Sequence, residues 1–190
     1  MKVDTKIFQR FYPEGVLETA TAESLSAQAI SFFLGRSEVV VNNAPPIKLN
    51  KILRISHREG GITNIARQNK HYRETGMIEE FAYLFEVNSE EAYTGHGMLS
   101  FNSTSAHPIF KNKPYAGATF TEENFRRRHL GIRRLQVLNA LSQSLYGLPL
   151  HSDYSLCRPL ARGTWEKLVE KGEAKAFREG KKERYVFITP

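Results

Sequence analysis

The clearest pattern in the chain is a helical repeat of apolar residues between Leu130 and Tyr146. Its leucines recur three or four positions apart, which puts them on one face of an α-helix: Leu135, Leu138, Leu141 and Leu145. Gly147 follows the repeat, and glycine is the residue that most often ends a helix. We therefore predict an amphipathic helix over residues 130–146, with its leucine face in the core.

A second helical repeat lies in RPLARGTWEKLVEKG, which runs from 158 to 172. One face of this segment carries Ala161, Thr164, Trp165, Leu168 and Val169. Pro159 stands near its start and Gly172 at its end, which are the positions that these residue types prefer in helices. The pattern predicts a second amphipathic helix, and we expect Trp165 to pack in the core.

Short apolar and aromatic runs bounded by turn residues predict three strands ahead of the first helix. They are EFAYLFEV at 80–87, GMLSFNS at 97–103 and PYAGATFT at 114–121. Between the two helices, LPLHSD predicts another short strand, and AKAFREGKKERYVFITP predicts a strand, a turn and a last strand. This order of elements from Glu80 onward is typical of a mixed α/β layer domain.

The first 79 residues have weaker patterns. TAESLSAQAISFFLG predicts a helix that Gly35 ends, and SEVVVNNAPP predicts a short strand and a loop. ITNIARQNKHYRETG predicts a further helix that ends at Gly76. We expect a single domain over residues 1–190, with its core in 80–190 and an N-terminal portion, 1–79, whose structure the pattern does not define.

The composition is that of an ordinary globular domain, with 190 residues of which 41% are hydrophobic and 25% are charged. No apolar run approaches the roughly 18 residues of a membrane span, and the N-terminus lacks the apolar core of a secretion signal. Cys157 is the single cysteine, which excludes an internal disulfide and a multi-cysteine zinc site. We therefore expect a cytoplasmic protein with no bound metal and no membrane partner.

The charge is strongly positive, with a formal net charge of +7 and a pI near 9.5. This balance favours an anionic partner: nucleic acid, a phosphorylated cofactor or an acidic protein. One basic cluster consists of Arg126, Arg127, Arg128, Arg133 and Arg134. A second consists of Lys175, Arg178, Lys181, Lys182 and Arg184, and we expect it to be a solvated hairpin.

The first basic cluster lies in ENFRRRHLGIRRLQVLNALSQ, where a predicted strand gives way to a predicted helix. The first N–H groups of a helix have no partner within the helix, and the helix dipole concentrates partial positive charge there. Gly131 has no Cβ, so the backbone can approach a ligand closely at this point. The stretch therefore predicts a site for a phosphate or a pyrophosphate.

Two motifs here resemble the GNAT acetyltransferase superfamily, which binds acetyl-coenzyme A. Its signature is (Gln or Arg)-x-x-Gly-x-(Gly or Ala), and RHLGIR at 128–133 matches except that Arg133 stands in the last position. The family's later segment is similar to YGLPLHSDYSLCRPLARGTWEKLVEKGEA at 146–174. The matching positions there are Leu150, Ser152, Asp153, Ser155, Ala161, Trp165, Leu168, Gly172 and Ala174.

The resemblance covers about residues 80–190 and implies a central, mostly antiparallel, twisted sheet that splays between its fourth and fifth strands and is flanked by helices. It implies that acetyl-CoA is the cosubstrate, with its pyrophosphate on the turn and its pantetheine arm in the splay. The implied cofactor-binding residues are Arg126, Arg127, Arg128, His129, Leu130, Gly131, Ile132, Arg133 and Arg134. The side chain of Arg133 either points outward toward a phosphate or blocks the turn, and we favour a working turn.

Acetyl transfer also needs groups that take a proton from the amine and stabilise the leaving thiolate. The candidate bases are Glu122 and Glu123 beside the turn, His107 ahead of the strand predicted at 114–121, and His151 and Asp153 in LPLHSD. A water relay is an alternative. Many members of the superfamily protonate the thiolate with a tyrosine where this chain has Trp165, which has no usable acidic proton. Tyr154, Ser155 or Cys157 are the alternatives for that role.

We therefore expect a CoA-dependent N-acyltransferase that moves an acetyl group to an amine on a protein, a small metabolite or a nucleic acid such as tRNA. Its short, basic and diverged sequence resembles members found in phages or mobile elements. Arg133 and Trp165 leave two alternatives open: a catalytically inactive protein on the same scaffold, or a basic module that binds nucleic acid or an acidic protein.

Overall fold

The computed structural model describes the chain over 6–12, 14–20, 52–57, 60–72, 77–102, 112–152 and 159–188. Its helices are α1 (Lys6–Gln9), α2 (Leu130–Tyr146) and α3 (Pro159–Glu170), and a short 3-10 turn spans Glu123–Phe125. Its strands are β1 (Val16–Ala20), β2 (Ile52–Ser56), β3 (Ile62–Tyr72), β4 (Met77–Val87), β5 (Tyr93–Asn102), β6 (Tyr115–Thr121), β7 (Ala174–Glu179) and β8 (Lys182–Phe187).

The fold is a mixed α+β arrangement built on a six-stranded antiparallel sheet. Strands β1 to β6 lie side by side in chain order, and β7 and β8 form a separate antiparallel hairpin. The helices predicted at 130–146 and 158–172 and the strands predicted at 80–87, 97–103 and 114–121 are confirmed as α2, α3, β4, β5 and β6. The predicted C-terminal strand, turn and strand are confirmed as β7 and β8.

His151 lies between β6 and the hairpin, and among the described residues of LPLHSD it alone forms β-bridges. It makes a parallel bridge to Tyr115 of β6 and an antiparallel bridge to Val186 of β8. The Ala116 N–H donates to the His151 carbonyl over 2.8 Å, and the Ser152 N–H then donates to the Tyr185 carbonyl over 2.8 Å. The spatial order of adjacent segments here is therefore β6, the His151 segment, β8 and β7.

The predicted helix at 62–76 is wrong, because β3 occupies most of that segment. Its residues pair antiparallel with β4 from Ile62 opposite Val87 to Tyr72 opposite Met77. Ile62, Thr63 and Ile65 are β-branched, which favours an extended backbone, and pairing with the aromatic strand β4 outweighs the weak helical spacing. The helix at 21–35 and the short strand after it fall outside the described residues.

The two faces of the sheet bury different sets of side chains. Toward the helices, Leu84 and Leu99 pack with the leucine face of α2, in which Leu135, Leu138 and Leu141 are at most 2% exposed. Trp165 of α3 joins this core, with its ring 5.9 Å from Tyr185 and 5.3 Å from Phe187. The opposite face carries an aromatic cluster around Tyr83 and Phe85. We call these the helix face and the aromatic face.

Two glycines of β5 allow α2 to lie close to the helix face of the sheet. A Cβ on Gly97 would lie 3.1 Å from Cδ1 of Leu138. A Cβ on Gly95 would lie 2.5 Å from Nη2 of Arg134, and this glycine has a φ of +150°. The two glycines of the sequence TGHG on β5 therefore provide the space that the Leu138 and Arg134 side chains occupy.

We predict that Gly95→Ala lowers the free energy of unfolding by about 1–3 kcal/mol, the usual effect of adding a methyl group where no room exists. The matched control is Gly163→Ala in α3, where a Cβ would have no atom within 4 Å. Replacing a glycine inside a helix by alanine stabilises by about 1 kcal/mol. Urea titrations of both variants provide the measurement, and equal midpoints for Gly95→Ala and the wild type would contradict the packing described.

Candidate functional site

The turn that joins β6 to α2 has an uncommon backbone conformation. Arg127 and His129 have φ angles of +64° and +59°, which few residues other than glycine adopt. Arg126, between the 3-10 turn and Arg127, is extended, with φ −66° and ψ 159°. Each left-handed residue costs about 1 kcal/mol, so the surrounding structure holds this turn in place.

The N–H groups of the turn are largely without backbone partners. The Arg126 N–H donates to the Glu123 carbonyl over 3.2 Å, and the Arg133 N–H donates to the His129 carbonyl over 3.1 Å. From Arg127 to Ile132, no amide donates to a backbone carbonyl within the described ranges. These donors gather at the positive end of the dipole of α2, which makes the turn a candidate anion site.

Gly131 faces a space with room for a methyl group between the end of β6 and α3, which we call the gap. A Cβ on Gly131 would lie 3.5 Å from Oγ1 of Thr164 and 4.0 Å from Oγ1 of Thr121. These are ordinary contact distances, so a methyl group fits there, while a long side chain would fill the gap. Two hydroxyl groups therefore border the space beside the unbonded amides.

The arginines of the RRR run surround the turn with positive charge. Arg126 donates from Nε to the Thr121 carbonyl over 3.3 Å and lies 3.5 Å from the exposed Glu123 carboxylate. The Arg128 guanidinium lies over the ring of Phe125, 5.4 Å from its centroid. Arg127 and His129 are exposed. These side chains raise the positive potential around the amides.

Arg134 is an anchor of α2 rather than a surface charge. Its side chain is 0% exposed, and its Nε donates to Oε2 of Glu86 over 2.5 Å. Its other donors reach the Phe120 carbonyl at 2.7 Å, the Thr121 hydroxyl at 2.6 Å and the Thr94 carbonyl at 3.1 Å. One guanidinium thus joins the first turn of α2 to β4, β5 and β6.

Arg133 points toward Glu86 and not outward toward a phosphate, with its side chain 33% exposed. That the turn works with an arginine in this position stays a prediction. The Arg133 guanidinium lies 3.4 Å from Oε1 of Glu86 and 5.3 Å from the centroid of the Tyr12 ring. The large residue in the last position of the motif is accommodated because Glu86 offers a counter-charge beneath the helix. The Arg133 N–H is already donated to the His129 carbonyl, so the free donors of the turn are those from Arg127 to Ile132.

Glu86 is the centre of this cluster and is a residue that the sequence analysis missed. Besides the two arginines, it accepts from the Tyr12 hydroxyl over 3.3 Å and lies 3.5 Å from the Thr63 hydroxyl. Burial, together with the Glu86 charge, raises the pKa of Tyr12, which therefore stays protonated and donates. The sequence contains a signal for this role. In EFAYLFEV, the strand alternation puts Glu86 on the same face as Leu84, and a charged residue on a buried face requires a buried partner.

Strand β6 is the last strand of the six-stranded sheet, and its bridge to His151 lies at its start. Of the residues that the structure describes, none hydrogen-bonds through its backbone to the free edge of β6 after Ala116. The register between β5 and β6 shifts here, since Leu99 pairs with Ala116 and Met98 with Ala118, so Gly117 is the extra residue of a β-bulge. We call this edge, from Gly117 to Thr121, the notch; it leads from His151 to the turn, where the Arg126 side chain donates to the Thr121 carbonyl.

The candidate catalytic residues fall at opposite ends of the notch. Glu122 follows β6 and donates its N–H to the Thr94 carbonyl over 3.0 Å, while His151 lies beside the first residues of β6. The structure therefore does not bring Glu122 and His151 together. Glu123, the neighbour of Glu122, is exposed. The remaining candidates lie outside the described residues: Asp153, Tyr154, Ser155, Cys157 and His107.

His151 has the properties of a neutral imidazole. Its Nδ1 lies 3.1 Å from the Pro149 carbonyl and 3.3 Å from the Pro114 carbonyl, so Nδ1 carries the hydrogen and donates. Burial lowers the pKa of His151 below its usual 6.5 and outweighs the opposing effect of the two carbonyls. Nε2 is then the basic nitrogen, which is the form that accepts a proton from an amine.

Two polar residues of β5 on the aromatic face were also missed. The His96 ring stacks on Phe120 at 5.7 Å and its Nδ1 is hydrogen-bonded to the Tyr93 hydroxyl. Ser100 is 0% exposed, and its hydroxyl has no hydrogen-bond partner among the residues described. The alternation in GHGMLS puts both on one face, but only coordinates reveal what surrounds them.

No group of three histidine, cysteine, aspartate or glutamate side chains that could hold a metal ion occurs in the described ranges. Within the same ranges, no helix has the length and apolar character needed to cross a bilayer.

We predict that Glu86→Gln lowers the free energy of unfolding by about 3–5 kcal/mol, because it leaves Arg134 buried without a counter-charge. Glu123→Gln is the control: it removes an exposed partner of Arg126 and changes stability by less than about 1 kcal/mol. Replacing both partners, as Glu86→Leu with Arg134→Met, should recover much of the loss. Denaturant titrations of the three variants provide the test, and similar losses for Glu86→Gln and Glu123→Gln would contradict the role of Glu86.

The lowered pKa of His151 predicts a pH dependence of stability. Below about pH 6.5 the unfolded chain binds a proton at this residue more readily than the folded chain does, so stability falls as the pH is lowered. His151→Asn retains an N–H near the Nδ1 position but cannot titrate. The loss of stability between pH 7 and pH 5 should therefore be smaller in the variant. Identical pH profiles would show that folding does not lower the pKa of His151.

No protein-family model matches this chain, and no curated protein matches it in sequence. The GNAT resemblance of the turn and of the segment at 146–174 therefore stays an expectation drawn from the sequence. The physical basis for a function is the turn with its unbonded amides, the gap at Gly131 and the notch along β6.

Proposed function

We propose that the chain is a CoA-dependent N-acyltransferase that moves the acetyl group of acetyl-CoA to an amine. The observation that carries this proposal is the run of unbonded amides from Arg127 to Ile132, at the start of α2 and at one end of the notch. A pyrophosphate has several negatively charged oxygens close together, which suits a series of neighbouring N–H donors. No other described part of the chain combines such donors with an adjoining open strand edge.

The order of elements around the notch supports the same proposal. Strand β6, helix α2, the His151 segment, helix α3 and the hairpin follow one another as the corresponding elements do in the GNAT superfamily. The parallel bridge between Tyr115 and His151 lies at the start of β6, and the edge is open further along. This is consistent with the splay between the fourth and fifth strands that the resemblance implies.

The residues present fit the expected cosubstrate. The amides of 127–132 would hold the pyrophosphate, and Arg126, Arg127 and Arg128 would lie close enough to add charge-assisted contacts. Gly131 has no side chain to fill the gap, which Thr121 and Thr164 border. The notch would receive the pantetheine arm.

The chemistry requires the amine to attack a carbonyl carbon while the carbon–sulfur bond breaks and the amine loses a proton. Acetyl-CoA supplies the activated thioester. We propose His151 as the proton acceptor, because it is neutral and lies where the notch begins. Trp165 packs in the core and donates no proton to sulfur, but a thiol has a pKa near about 8.5, so its thiolate is a fair leaving group.

Binding of acetyl-CoA provides the first test of this function. We predict that millimolar acetyl-CoA raises the melting temperature of the wild type, because a ligand that binds only the folded state stabilises it. Gly131→Glu should abolish this shift, since its carboxylate would fill the gap and repel phosphate. Gly131→Ala is the matched control and should keep the shift, because a Cβ there makes only ordinary contacts.

The proposal fails if the wild type shows no shift, and the assignment of the turn fails if Gly131→Glu binds as well as Gly131→Ala. The melting temperatures of the variants without ligand control for damage to the fold.

The exposure of Arg127, Arg128 and His129 favours a second candidate, a basic module that binds nucleic acid. Under this alternative, a labelled oligonucleotide would bind in a salt-dependent manner, and replacing Arg126 and Arg127 by alanine would weaken binding and reduce its salt dependence. Salt-sensitive oligonucleotide binding without any acetyl-CoA shift would favour this alternative over acyl transfer.

A further inference from the structure

The hydroxyl of Ser100 is a buried polar group without an evident structural purpose. Its residue is 0% exposed, and its Oγ has no hydrogen-bond partner in the described part of the chain. A buried donor that is left unpaired destabilises the fold, and an alanine at this position would avoid the penalty. Ser142 offers a contrast, because it is equally buried but donates to the Leu148 carbonyl over 2.6 Å.

Ser100 lies directly over the β-bulge of β6. A Cβ on Gly117 would be 3.0 Å from Oγ of Ser100, so this hydroxyl borders the space that the glycine leaves on the aromatic face. The end of the Met98 side chain extends over the same glycine. Methionine is flexible and moves readily, so this space can be vacated for another group.

The same bulge marks the beginning of the notch. Ala116 is the last residue of β6 whose edge is bonded to His151, and Gly117 follows it. Ser100 is therefore next to the point where the edge of β6 opens, at the end of the notch far from the anion-binding turn. A molecule with its phosphates on the turn and its arm along β6 would bring its far end to this place.

We propose that the Ser100 hydroxyl donates a hydrogen bond to the carbonyl oxygen of the bound thioester and stabilises the negative charge that develops on that oxygen during attack. This inference rests on the proposed acyl transfer. Ser100 keeps its proton and forms no covalent bond, because no described histidine or carboxylate accepts its proton to activate it as a nucleophile. This role explains why the hydroxyl is unpaired in the free protein, because its hydrogen-bond acceptor is the substrate carbonyl.

The direct test is infrared difference spectroscopy of acetyl-CoA labelled with ¹³C at the thioester carbonyl and bound to the wild type, Ser100→Ala or Ser142→Ala. A hydrogen bond lowers the carbonyl stretching frequency, so the band should move to higher frequency in Ser100→Ala and stay in place in Ser142→Ala. The stability of the free proteins should show the reverse ranking. Ser142→Ala loses a paired hydroxyl and is destabilised, whereas Ser100→Ala removes an unpaired hydroxyl and is not destabilised.

Turnover gives a second readout: free CoA thiol is released as the acetyl group passes from acetyl-CoA to an added primary amine. Removing one donor of this kind lowers the rate by ~100- to 1,000-fold, and we expect this loss in Ser100→Ala with binding of acetyl-CoA retained.

The outcomes separate the two proposals. If acetyl-CoA binds to the wild type and to Ser100→Ala with the carbonyl band unchanged, the role of Ser100 is overturned and the acyltransferase proposal stands. If acetyl-CoA does not bind to the wild type, the acyltransferase proposal is overturned, and the inference about Ser100 is overturned with it.

Discussion

The buried ion pair between Arg134 and Glu86 is the interaction on which the geometry of the turn depends. Removing both charges from water is expensive, and such a pair is tolerated only when nearly every donor has an acceptor. Arg134 meets this condition, since it also donates to two carbonyls and a hydroxyl on β5 and β6. Because Arg134 lies one helical turn after Leu130, the pair fixes the start of α2 on the sheet while the amides ahead of it remain unbonded.

The same carboxylate ties together distant parts of the chain. Glu86 also contacts Arg133 and Tyr12, so the segment after α1 packs against the first turn of α2. The basic residues thereby divide into two groups with different physical roles. Arg133 and Arg134 share the Glu86 carboxylate beneath the helix, whereas Arg127 and Arg128 are exposed to solvent, where their charge is available to an anion.

Much of the architecture was predictable, because long periodic segments leave few alternatives. The helix over 130–146 has the predicted bounds, and Trp165 packs in the core as its spacing indicates. β3 was mistaken for a helix because its pairing partner, β4, is not visible in a local pattern. The inward course of Arg133 and the unpaired hydroxyl of Ser100 depend on contacts across strands far apart in sequence, which spacing along one segment does not encode.

The central claim is that the turn holds a pyrophosphate through its backbone, and calorimetric titration with two related compounds tests it most directly. CoA carries the pyrophosphate, whereas pantetheine has the same thiol arm without it. The account predicts that CoA binds and that pantetheine binds at least about tenfold more weakly, a difference of about 1.4 kcal/mol or more. Equal affinity for the two compounds, or no binding of CoA, would contradict it.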